Sequence, residues 1–139
     1  MLIQFPDIAP AWGSLTEAVT ARPGLSERAR EAVILRVCGH FDARYATHAH
    51  TLAAKRRGLG AAQIDALCAG VNPVNLTDEQ ACAVELVDSL LQGGVLPAHT
   101  YDHAVTVIGQ DALDAVVLLT LYYTAACVLL NAYDVPADS

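Results

Sequence analysis

Apolar residues recur along the chain at helical spacing, and Gly, Pro and small polar residues interrupt them at intervals of one to two dozen positions. The pattern predicts about seven helices and no strand. The first runs from about Trp12 to Ala21, has Ser14 and Thr16 near its start, and ends at Arg22-Pro23-Gly24. Ser26 can cap the second, whose apolar positions Ala29, Val33, Leu35 and Val37 carry it to about Cys38, where Gly39 breaks the pattern. A third helix is expected from Phe41 to Arg57, with Gly58 as its stop, and a short fourth over Gly60 to Leu67. The segment from Ala69 to Leu76 holds Gly70, Asn72, Pro73 and Asn75 and reads as a loop. Thr77 and Gln80 form a capping box for a fifth helix that ends at Gly93-Gly94. Pro97 opens a sixth that reaches Ile108, and after Gly109 a last helix starts near Asp111 and ends near Asn131. Short helices joined by short loops predict an all-α bundle, with residues 1–139 as a single domain.

Composition sharpens this picture. Of 139 residues, 54% are hydrophobic and 17% are charged, which is too apolar for a disordered chain. It is also more apolar than one small domain needs, so the excess points to a subunit interface, in a dimer, trimer or hexamer. The formal net charge of −7 opposes nucleic-acid binding. Lys55-Arg56-Arg57, a run of three cations, reads as a solvated helix end. The start of the chain has no basic segment followed by an apolar one, so a secretory leader is not expected and a cytoplasmic location is. The most apolar stretch, Ala115 to Leu130, has 16 residues. A span needs about 20, so a buried helix is the expectation and a membrane partner is not.

Candidate chemistry concentrates in the third helix, which carries Tyr45, Thr47, His48 and His50. On a helix His50 shares a face with Ala43, Ala46 and Thr47, whose small side chains leave room beside an imidazole, while Tyr45, His48 and Leu52 lie on another face. A histidine in that setting is either a satisfied core residue or a proton carrier. Glu31 interrupts an apolar run and is either a solvated first-turn acid or a buried, paired one. Cys38, Cys68, Cys82 and Cys127 form no CxxC and read as small buried residues unless two of them meet in space. His99 and His103 share a helix face but lack a third ligand, so no metal site is expected.

The run Leu25-Ser26-Glu27-Arg28-Ala29-Arg30-Glu31-Ala32-Val33-Ile34-Leu35-Arg36-Val37, then Tyr45, His50 and Arg57-Gly58-Leu59, resembles the carboxymuconolactone decarboxylase and alkylhydroperoxidase D superfamily. The tail from Leu121-Tyr122-Tyr123 to Val135-Pro136 is similar to that family's ending, and the resemblance covers roughly residues 10 to 136. It implies an alkylhydroperoxidase D-like bundle of about six to seven helices that assembles with itself. In the peroxidase branch a Glu is followed by CxxC and a His. Here Glu31, Tyr45 and His50 match, but Ala43 and Ala46 stand where both sulfurs belong. Peroxide reduction through a protein dithiol is therefore the least expected activity.

The decarboxylase branch needs no cysteine. The chain lacks that branch's Glu-Leu pair before the histidine and is closer to a YxWxxH pattern, with Thr47 at the Trp position. The resemblance thus implies a cofactor-free, metal-free acid–base lyase, isomerase or cyclase on a small oxygenated, carboxylated or lactone-like substrate. In it His50 carries the proton, Glu31 orients it and Tyr45 donates to an oxyanion. Arg36, Arg44, Thr47 and His48 are the candidates to hold substrate. The alternative is a binding module or a purely oligomeric protein that has kept the fold.

Overall fold

In the computed structural model, which describes residues 4–138, the chain forms α1 (Ala9–Thr20), α2 (Glu27–His40), α3 (Arg44–Arg56), α4 (Ala61–Ala69), α5 (Asp78–Gln92), α6 (Ala98–Ile108) and α7 (Gln110–Ala132), with no strand among the described residues. The fold is all-α, as the spacing predicts.

The expected start signals are used. Ser26 Oγ accepts a hydrogen bond from the Ala29 amide at 3.1 Å. Thr77 Oγ1 accepts from the Gln80 amide at 3.2 Å, while Gln80 Oε1 accepts from the Thr77 amide at 3.1 Å. Each satisfies amides that the first helical turn leaves unpaired.

The first helix starts at Ala9, with Pro10 in its first turn, and not at Trp12, and α4 runs on to Ala69; two further differences have a clear physical reason. Gly39 does not break the second helix, which continues to His40. The glycine is there for packing: a Cβ on it would lie 2.6 Å from Cys68 Cα, so α2 and α4 approach to backbone contact only because the side chain is absent. The third helix starts at Arg44 and not at Phe41, because Asp42 takes φ 50° and Ala43 is extended. Asn131 Nδ2 donates to the Phe41 carbonyl at 2.7 Å, tying this turn to the end of α7.

The run Ala32-Val33-Ile34-Leu35-Arg36-Val37-Cys38 is buried on every side, so α2 is the central element, packed by α3, α4, α5 and α7. Val33, Val37, Leu86, Val87, Val116 and Leu119 make the main core, and Leu35, Leu59, Ile64 and Leu67 a second one beneath α4. The last helix has 23 residues, more than the apolar stretch the sequence reading measured, and is long and apolar enough to cross a membrane by length and composition. Its packing marks it as a core helix: Leu113, Val116, Leu119, Cys127 and Leu130 are buried, while Leu121 and Val128 face outward at 59% and 56% exposure.

Candidate functional site

Three helices bring side chains to one place. Ala43, just before α3, and Ala46, on its His50 face, are buried. They let the helix lie close to its neighbours and leave the larger imidazole to fill the space beyond them. His50 points across to α2, where Nδ1 lies 3.0 Å from Glu31 Oε2; the two side chains are 22% and 13% exposed. An ionised carboxylate only accepts, so Nδ1 carries the hydrogen, and in the neutral imidazole Nε2 then presents its lone pair.

From α7, the Tyr123 ring stands edge-on to the imidazole, with centroids 5.1 Å apart. Burial, and after it the neighbouring Tyr122, Glu31 and Cys38, hold the Tyr123 phenol well above its ordinary ionisation range, against a smaller opposing effect of Arg30. It is therefore a neutral O–H, and its hydroxyl has no hydrogen-bond partner among the described residues. Tyr122 turns the other way, its hydroxyl 2.7 Å from Thr16 Oγ1 and its ring against Trp12, which fixes α1 to α7.

A cleft of about 270 Å³ opens over Glu31, lined also by Thr20, Glu27, Arg30 and Arg57. Arg30 is held there by donating to the Thr20 and Arg22 carbonyls at the end of α1, and Arg57 by an ion pair with Glu27 at 2.8 Å. Two guanidinium groups thus line a cleft that also holds Glu27 and Glu31, whereas His50 and Tyr123 are not among its lining residues. The cation run at the end of α3 is accordingly split: Lys55 and Arg56 are solvated, whereas Arg57 lines the cleft.

The other expected site residues are elsewhere. Tyr45 is 39% exposed and His48 is exposed; neither lies on the side of α3 that His50 occupies. Five residues on a helix turn a side chain by about 140° from its predecessor, which separates Tyr45 from His50. Thr47 is half-buried on the His50 side. The Arg36 side chain is only 4% exposed and fully engaged: Nε and Nη2 donate to the two oxygens of Asp88 at 2.8 and 2.9 Å, and Nη1 reaches the Val71 carbonyl at 2.7 Å. It holds α2, α5 and the end of α4 together and is not free for a substrate carboxylate. It also lines a larger cavity of about 540 Å³, with Gly39, His40, Cys68 and Gln92, which shares no residue with the Glu31–His50 pair. Arg44 is exposed and pairs with Asp134 after α7.

Sequence reasoning overlooked Tyr123, Arg30 and Arg57 as site residues. The available signal was a Tyr pair inside an apolar helix and the two arginines within the family-like runs. Their convergence depends on how α3 and α7 pack on α2. His99 and His103 are exposed on α6, and no group of three or more His, Cys, Asp or Glu residues is placed to hold a metal among the described residues.

No curated protein is similar enough to the chain to count as a match. The sequence profile of the carboxymuconolactone decarboxylase family matches residues 6–89, which include Glu31, the whole of α3 and His50. By that match, over more than half of its length, the chain belongs to the carboxymuconolactone decarboxylase family.

Proposed function

We propose that this protein is a cofactor-free acid–base enzyme, a lyase, isomerase or cyclase, that moves a proton on a small carboxylated or lactone-like substrate. The family includes both decarboxylases and peroxidase-like members. The observation that carries the reading is the 3.0 Å contact between His50 Nδ1 and Glu31 Oε2. A carboxylate on Nδ1 fixes the tautomer, raises the basicity of Nε2 and stabilises the imidazolium once the proton has moved.

In the decarboxylating direction the bond between the ring carbon and the carboxylate breaks, carbon dioxide leaves, and its electron pair passes into an enolate. His50, having taken a proton from solvent at Nε2, then delivers it from the imidazolium to the enolate carbon. Tyr123, whose ring packs edge-on against His50, takes the oxyanion-stabilising role that the family resemblance implies for Tyr45. Arg30 and Arg57 line the cleft but are engaged with the Thr20 and Arg22 carbonyls and with Glu27, so a substrate carboxylate would share or displace those partners. Thr47 remains a candidate to contact substrate, on the His50 side of α3.

The working form is a homo-oligomer in the cytoplasm. The support is the outward face of α7, where Leu121 and Val128 are more than half exposed. The cleft volume of about 270 Å³ is small for a ligand site, commonly ~300–1,000 Å³, which favours a site completed by assembly. The same volume supports the second reading, a family member that keeps the bundle and binds or merely assembles.

The deciding experiment offers a panel of carboxylated lactones and 3-oxo acids in deuterated water, with carbon dioxide release and deuterium incorporation followed by NMR. Turnover that falls by about two to four orders of magnitude in His50→Ala, with folding intact, supports the enzyme. Glu31→Gln should cost less, because the proton carrier stays. Full activity in a folded His50→Ala protein would remove His50 from the chemistry.

A further inference from the structure

Cys38 and Cys127 stand 89 residues apart in sequence, both fully buried, with their sulfurs 3.9 Å from each other. Both thiols are free. Cys38 lies on α2, two turns beyond Glu31. Cys127 lies on α7, one turn beyond Tyr123. The sulfur pair therefore bridges the two helices that supply two of the three side chains of the candidate site. Proton transfer at His50 makes no use of it.

We propose that Cys38 and Cys127 are a redox couple that closes to a disulfide between α2 and α7, with a small hydroperoxide as oxidant and a small dithiol as reductant. A disulfide needs the sulfurs at about 2.04 Å, so they must approach by roughly 2 Å. The two helices are already packed against each other.

The two sulfurs share a hydrogen bond, and either can make the first attack once deprotonated, with the same overall balance in both orders. With Cys127 first, its thiolate attacks the outer peroxide oxygen, the O–O bond breaks, and the alcohol leaves with a proton, giving a sulfenic acid on Cys127. The Cys38 sulfur then attacks that sulfur, the S–O bond breaks, and water leaves with the Cys38 proton. Two thiols and one hydroperoxide become one disulfide, one alcohol and one water.

Because both sulfurs are buried, the oxidant reaches them only when the helix pair opens. The couple acts as a stoichiometric lock on the bundle and is not a turnover peroxidase. The closed form carries a long covalent loop, and in the chain-entropy account long loops stabilise most, so the melting temperature should rise by on the order of 10 °C.

The test treats the folded full-length protein with tert-butyl hydroperoxide, quenches it, alkylates all free thiols in denaturant, and maps peptides by mass spectrometry without reduction. The expected product links the peptides of Cys38 and Cys127, leaves Cys68 and Cys82 alkylated, melts about 10 °C higher, and returns to the starting melt after dithiothreitol. A Cys68→Ser/Cys82→Ser double variant should behave as the parent, and Cys127→Ala should lose both the link and the shift. Four alkylated cysteines after oxidation, links that join other pairs, or a Cys38–Cys127 link without a higher melt would each overturn the proposal. The peptide map of the parent protein decides the matter even if Cys127→Ala fails to fold.

Discussion

Arg36→Leu separates an anchor from a substrate clamp, and it can be tested without knowing a substrate. The Arg36 guanidinium makes two hydrogen bonds to Asp88 at 2.8 and 2.9 Å, one to the Val71 carbonyl at 2.7 Å, and longer ones to Ala66 and Leu67 at 3.3 Å. Arg36 is 4% exposed and Asp88 39%. A leucine fills most of the stem volume but leaves the end of α4 without its donor and a half-covered carboxylate without its partner. Breaking a buried pair from one side costs about 3–5 kcal/mol. Asp88 retains access to water, which places the expected loss near the lower end, at about 3 kcal/mol. A domain of this size has about 5–15 kcal/mol in total, so urea unfolding should shift its midpoint by roughly 1–3 M with an unchanged slope. Asp88→Asn keeps one acceptor for the fork and should lose about 1–2 kcal/mol. A double-mutant cycle with Arg36→Leu and Asp88→Leu then isolates the coupling, expected at about 1–3 kcal/mol. An Arg36→Leu protein as stable as the parent would refute the anchor and return Arg36 to the list of groups free to bind substrate.

Three further outcomes follow from the geometry. Gly39→Ala should destabilise by about 1–3 kcal/mol despite alanine's better helix propensity, because its Cβ meets the backbone of Cys68, which has no rotamer to move; thermal unfolding checks this. Tyr123 is neutral in the folded chain above the pH at which it ionises when unfolded, ordinarily 10.0, so the folded state then binds more protons and stability falls as pH rises. Tyr123→Phe should remove that part of the alkaline loss, up to about 1.4 kcal/mol per pH unit, in urea titrations run between pH 9 and 11. His50→Ala should lower stability by about 1–2 kcal/mol, since it deletes one half-buried contact with Glu31, while an unchanged melting temperature would mean that the pair contributes nothing to folding.

The local signals in the chain were sufficient for the helices and for the direction of one side chain. Ser26, the Thr77 and Gln80 pair, Gly58, Gly93 and Gly109 mark ends that are set by hydrogen bonds within four residues and by backbone angles that glycine adopts freely. Helical periodicity likewise places His50 with Ala46 and Thr47, away from Tyr45. The family resemblance implies Glu31 as its neighbour, and the two do touch.

What lies between helices was not legible. Arg36 finds Asp88 52 residues later, Cys38 finds Cys127 after 89, and Tyr123 meets His50 from the far end of the chain. Each contact depends on the angle and depth at which two helices cross, which a one-dimensional pattern does not encode. Gly39 shows the limit most sharply. In sequence it is a helix breaker, and in the fold it stays helical because the bare backbone lets α4 come within contact of α2. Short-range rules determined where the helices start and stop, and close packing alone decided which of their side chains meet, because packing energy belongs to pairs of surfaces and not to either strand of sequence alone.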